Sequence, residues 1–117
     1  MRRTADSAGR EGEWLAVAFL MRGGWEILGE RVRCARGEVD LVARRGALVA
    51  FVEVKWRRDR AAMDLAIDAR RLARVAAAAE VLAPRFLRAG DDMRVDVLLL
   101  APGVEPRHIE NAWMPFA

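Results

Sequence analysis

At 117 residues, 54% hydrophobic and 32% charged, the chain is long enough for one domain with its own core, burying roughly 65% of the surface its unfolded form exposes. That balance favours neither a disordered chain nor a membrane protein. The longest apolar run near the N-terminus, residues 15–21 behind Glu11 and Glu13, is too short to cross a bilayer, and no signal peptide is expected. A net charge of +3 and a pI near 10.3 permit nucleic-acid binding without requiring it. The lone cysteine, Cys34, excludes an internal disulfide and a cysteine-based zinc site.

The single domain is expected to span residues 1–117, with about the first six disordered. Asp6 or Ser7 can cap a first helix reaching Arg22, where Gly23-Gly24 ends it. Leu15, Ala18, Phe19 and Arg22 are spaced for one side of that helix. Residues 25–34 alternate as a strand, Trp25, Ile27 and Gly29 on one side and Glu26, Leu28 and Glu30 on the other. A turn at Ala35-Arg36-Gly37 leads into a second strand over 38–44. Gly46-Ala47 is the natural two-residue loop into a third strand, with Gly at the first central position as a type II′ turn requires. That turn opposes Arg45 to Leu48, and the same register opposes Asp40 to Glu53.

Residues 57–60 read as a polar exit loop. A second helix starts from Asp68 as N-cap and runs to Ala83, where Pro84 should stop it, burying Leu72, Val75, Ala76, Ala79 and Leu82. A loop with a helical turn near Phe86 and Leu87 precedes a buried strand over 93–100, interrupted by Asp96, to which a role either in the scaffold or in supporting the groups of the site is assigned. A short closing strand is expected at 108–113. His108 is the only histidine, so histidine-based metal or nucleophile chemistry has little support.

The chemistry gathers on the hairpin. Lys55, two residues after Glu53, shares its face, and it is the single lysine among 20 basic residues. Carboxylates held together repel unless a cation or proton compensates, and oxygen ligands suit Mg²⁺ or Mn²⁺. Such an ion activates water for attack on a phosphodiester, with Lys55 placed to neutralise developing charge. Equally, the charged face can be solvated and nothing more, and spacing alone does not decide.

Gly9-Arg10-Glu11-Gly12-Glu13 with Ala16, Gly24-Trp25 with Ile27-Leu28, Arg36-Gly37-Glu38-Val39-Asp40-Leu41-Val42-Ala43-Arg44, Phe51-Val52-Glu53-Val54-Lys55, Arg94-Val95-Asp96-Val97 and His108-Ile109-Glu110-Asn111-Ala112 follow in order over nearly the whole chain. Together they resemble the YraN-like family of small bacterial proteins, which in turn resembles the PD-(D/E)XK nuclease superfamily. The resemblance implies an α/β, restriction-endonuclease-like αβββαβ core with a mixed sheet flanked by helices. It makes Asp40, Glu53 and Lys55 catalytic, with Asp40, Glu53, the Val54 carbonyl and Glu13 as candidate ligands for Mg or Mn. Two positions depart from the pattern: Val39 replaces the usual Pro before the motif Asp, and Leu72 stands where relatives tend to carry Gln, with Arg71 beside it.

The expected partner is nucleic acid, DNA in particular, contacted by Arg10, Arg36, Arg57, Arg58, Arg70, Arg71 and Arg74. The expected location is the cytoplasm, with no membrane partner and a homo-oligomer left open. The alternatives are a non-catalytic nucleic-acid-binding module of the same fold and an interaction domain with no nucleic-acid role.

Overall fold

The computed structural model describes the backbone of residues 5–64 and 67–113 and the side chains of 11–63 and 67–113. The expected disorder at the N-terminus falls mainly outside these residues, as does the side chain of Arg10. A five-stranded sheet in the order β1-β2-β3-β4-β5 carries helices on both faces. Its strands are β1 (Glu26–Cys34), β2 (Gly37–Arg45), β3 (Leu48–Trp56), β4 (Asp92–Ala101) and β5 (Val104–Ile109). Only β3 and β4 run parallel; the other neighbours are antiparallel. With α1 (Ala5–Arg22), a short α2 (Arg60–Asp64) and α3 (Ala69–Phe86), the order contains the expected αβββαβ core, with α2 and β5 added. No helix of the described residues is long and apolar enough to cross a membrane.

Strand alternation sorts the apolar residues into two layers. Leu41, Ala43, Ala50, Val52, Leu98 and Leu100 pack with Ala16, Leu20 and Trp25 on the α1 side. Val39, Val42, Val49, Phe51, Val95, Val97 and Leu99 pack with Leu72, Val75, Ala78, Ala79 and Leu82 on the α3 side. Burial on both faces accounts for the near-continuous apolar runs of the inner strands.

Several expectations are corrected. The helix begins at Ala5, so Asp6 and Ser7 lie inside it. Its buried stripe is Gly12, Ala16 and Leu20, while Leu15, Ala18 and Phe19 are half-buried and Arg22 is exposed. Small residues let α1 approach closely: a Cβ on Gly12 would meet Trp56 Cβ and Cε3 at 3.4 Å. A bulge between Ile27 and Gly29 shifts the β1 register, and a Cβ on Gly29 would point at Val32 and Phe86 on the α3 side, away from Trp25 and Ile27.

Residues 57–60 are not all loop, because Asp59 caps α2: its Oδ1 accepts from the Ala62 amide at 2.9 Å, and Met63 is buried beneath. Asp68 caps α3 as expected, its carboxylate accepting from the amides of Arg70 and Arg71. Pro84 lies inside α3 rather than ending it. Proline has no N–H to donate backwards, and the helix survives only one more half-turn, to Phe86, closing with the Leu87 amide on the Ala83 carbonyl. Ala78, not Ala76, completes the fully buried stripe. The closing strand begins at Val104, directly after a turn at Pro102-Gly103 with Gly103 at φ 67°, and ends at Ile109; residues 110–113 turn back, the Ala112 amide bonding the Val95 carbonyl.

Candidate functional site

The β2–β3 hairpin forms in the expected register. Gly46 takes φ 62°, Arg45 faces Leu48, and the ladder runs to Leu41 opposite Val52. One step further it stops being a ladder. Asp40 Oδ2 accepts from the Val54 amide at 2.7 Å, so a side chain replaces the backbone partner at the position where Glu53 would oppose it. In an extended strand the N–H and C=O of one residue leave on the same side, so the Val54 carbonyl also leaves β3 on the side of Asp40.

Glu53 lies on the α3 side of β3 with only 2% of its side chain exposed. Two cations meet its Oε1, Arg71 Nε at 2.7 Å and Lys55 Nζ at 3.3 Å. Arg71 comes from the first turn of α3 and is 51% exposed. Asp40 is less well provided. Burial and then the Glu53 charge push its carboxyl up to about 7, against the opposing pull of the Val54 amide and Arg71. At neutral pH this acid shares a proton with solvent where an ordinary aspartate has lost it.

That imbalance is the observation on which a divalent cation fits here. An ion placed between the two carboxylates does what the proton does, and oxygen donors suit Mg²⁺ or Mn²⁺. Among the described residues no three His, Cys, Asp or Glu side chains converge on one point, so two carboxylates would be completed by backbone and solvent oxygens. Glu13 is not drawn in. It pairs with Arg31 on β1, Nε to Oε1 at 2.6 Å, and reaches Asp40 only as a weak repelling charge.

Beside Glu53 opens a cavity of about 160 Å³ lined by Arg36, Gly37, Glu38, Arg71, Arg74 and Val75. The structure thus brings Arg36, Arg71 and Arg74 together next to the acids. The other sequence candidates do not join them. Arg57 bonds the Trp56 carbonyl, the exposed Arg58 pairs with Asp59, and Arg70 is exposed on the outside of α3. Leu72 is buried in the α3-side core, so this position presents no polar group to the site.

The pairing of Arg71 with Glu53 was not foreseen, since Arg71 was assigned only to nucleic acid. The signal is available: three residues past an Asp N-cap, beside a buried Leu72, its side chain must leave the core stripe near the helix start. The partners of Asp96 were also missed. It is fully buried and accepts from Arg94 Nε, Arg94 Nη2 and the Asn111 amide at 2.8, 3.1 and 2.9 Å, with His108 Nε2 at 2.8 Å. These contacts are made on the α1 side of β4, away from the acids of the hairpin, so of the two roles open to Asp96 the geometry supports the scaffold one.

Known sequences agree with the span of these elements. Residues 12–100 match the model described as "Uncharacterised protein family UPF0102". The chain is 59% identical over 114 residues to a UPF0102 protein of Erythrobacter litoralis (strain HTCC2594), covering 97% of this chain and 98% of that one. It is 58% identical to a UPF0102 protein of Sphingopyxis alaskensis over the same shares. A UPF0102 protein of Rhizorhabdus wittichii is 51% identical over 96% of this chain and 95% of its own.

Proposed function

The chain belongs to the uncharacterised bacterial protein family UPF0102, and from the geometry of its hairpin face we propose that it is a divalent-metal-dependent nuclease that hydrolyses phosphodiesters of DNA in the cytoplasm. The observation that carries the reading is the pair Asp40 and Glu53 at the end of the β2–β3 ladder, where burial first and the Glu53 charge second push Asp40 up to about 7. Placing two acids side by side destabilises an apo protein, and a site that receives a cation offsets that cost.

Asp40, Glu53 and the Val54 carbonyl would hold Mg²⁺ or Mn²⁺, which supplies Lewis-acid activation of water and neutralises charge on the phosphate. Lys55, fixed 3.3 Å from Glu53 Oε1, sits where it can orient the attacking oxygen and stabilise charge that develops on the phosphate. Arg71 is half-exposed and can turn from Glu53 to a phosphate oxygen, a charge-assisted contact that guanidinium geometry favours. Arg36 and Arg74 flank the same cavity. They bind the neighbouring phosphates.

Purified protein incubated with linear, nicked, flapped and four-way DNA in Mg²⁺ or Mn²⁺ should cleave at least one substrate. Glu53→Ala and Lys55→Ala should each lower that rate by about a hundredfold or more. No cleavage of any substrate, or cleavage unchanged in both variants, overturns the reading. One observation favours a second reading, a non-catalytic nucleic-acid-binding module: Arg71 already neutralises Glu53. Metal-independent binding that falls steeply with salt and persists in Asp40→Ala would support it.

A further inference from the structure

A groove of about 540 Å³ lies on the opposite side of the sheet from Arg71, between α1 and the β4–β5 hairpin. Trp14 and Trp56 line it with Leu15, Leu100, Val104 and Pro106. Trp14 is 69% exposed, the most open of the large apolar side chains described. Trp56 is half-buried and backed by Gly12, whose hydrogen leaves room for the indole to lie against α1. Arg57, next in the chain, is tied down by its amide on the Leu100 carbonyl and its Nη1 on the Trp56 carbonyl. The exposed Arg58, paired with Asp59, follows, and Arg22 lies at the groove itself together with Glu11.

We propose that this groove takes unpaired nucleobases, so that the substrate of the hairpin site is single-stranded or locally unpaired DNA rather than intact duplex. The inference rests on the nuclease reading and narrows its substrate class. Bases inside a duplex offer their faces only to one another, whereas a base that has left the stack can lie on an indole. The groove has an apolar wall for such faces and guanidiniums at its margin for the phosphates, the combination by which single strands are held without sequence preference. Its position agrees with that use. Trp56 is three residues beyond Glu53, roughly 10 Å at the rise of an extended strand. A strand crossing the end of β3 can therefore present a phosphate to the acids on one face while the next bases stack on the other.

The test is binding in EDTA at low salt, which removes turnover from the measurement. Anisotropy of a labelled oligo-dT strand and of a blunt duplex of equal length is compared for wild type, Trp14→Ala, Trp14→Phe and Arg74→Ala. Trp14 is exposed, so its variants should fold, as circular dichroism would verify. Trp14→Ala should weaken oligo-dT binding by roughly 5- to 150-fold, the loss for one stacked base, and leave duplex binding within about twofold. Trp14→Phe should restore most of the loss, and Arg74→Ala should weaken both probes. Unchanged oligo-dT binding in Trp14→Ala overturns the proposal while leaving the nuclease reading intact. So does conversion of a sedimenting dimer to monomer by Trp14→Ala with unchanged oligo-dT affinity, which would assign the groove to a second copy. Wild type that binds neither probe overturns the proposal, and the cleavage assay then decides the nuclease reading by itself.

Discussion

Asp96 and Asp40 sit on inner strands of one sheet and move in opposite directions from the same starting acidity. Burial acts on both. At Asp96 burial favours the proton, but His108, Arg94 and the Asn111 amide outweigh it and hold the carboxyl below the usual range. At Asp40 the Val54 amide is the one hydrogen-bond donor among the described residues, Glu53 adds a like charge, and the carboxyl ends up at about 7. The difference lies in the number and charge of donors rather than in depth. A carboxylate supplied with donors by its own chain is part of the scaffold; the one left short is where the proposed cation would act.

That contrast can be broken in several ways. The largest effect is expected at Asp96. Asp96→Ala leaves Arg94 without its buried carboxylate and should lower unfolding free energy in urea by about 3–5 kcal/mol; a loss below about 1 kcal/mol would mean the network is not structural.

Next comes the pH dependence of Asp40 in metal-free protein. Its folded pKa lies above that of the unfolded chain, so its contribution is fully present below about 4 and lost as pH rises through about 7. Asp40→Asn should remove that slope and leave the variant more stable than wild type at pH 8 by about 2–3 kcal/mol. Parallel urea titrations at pH 5 and pH 8 read this out, and equal differences at the two values would contradict it.

Magnesium supplied at ten to a hundred times its dissociation constant should stabilise wild type by about 1.4–2.7 kcal/mol. The gain should vanish in Asp40→Asn, and thermal shift against a calcium-free, magnesium-free reference measures it. The smallest effect belongs to Arg71→Ala. Half-exposed, its pair with Glu53 should contribute under about 1 kcal/mol, while its loss raises the Asp40 pKa further, visible in the carboxyl carbon shift by NMR.

Local signals accounted for much of this molecule. Gly46 sets a turn that admits one register, and the register places Asp40 and Glu53; Asp68 is a cap because the apolar stripe starts four residues later at Leu72. Other features depend on distant neighbours. Whether Leu15 or Ala16 faces the sheet depends on how closely α1 can lie on Trp56, and the bulge after Ile27 depends on Phe86, which arrives from the far end of α3. Asp96 reads as an interruption of an apolar run until His108 and Asn111 fold back over β4. The cap at Asp59 and the turn at Pro102-Gly103 are local signals too, yet residues 57–60 read as loop and the closing strand as 108–113, because each element that follows is short. At the site, the alternation of β3 put Lys55 beside Glu53, but the competitor for that carboxylate, Arg71, comes from a separate element.

The single parallel pairing, β3 with β4, has a consequence for the order in which the protein assembles. β1, β2 and β3 form a meander joined by tight turns and can pair through short loops, whereas β4 must wait for the crossover through α2 and α3. Asp40 and Glu53 both belong to the early, locally wired part, and Arg71 and Asp96 to the late part. Pairing in that order would bring the two acids together before their guanidinium, and with the proposed cation site divalent cations in the refolding buffer should then raise the folding rate.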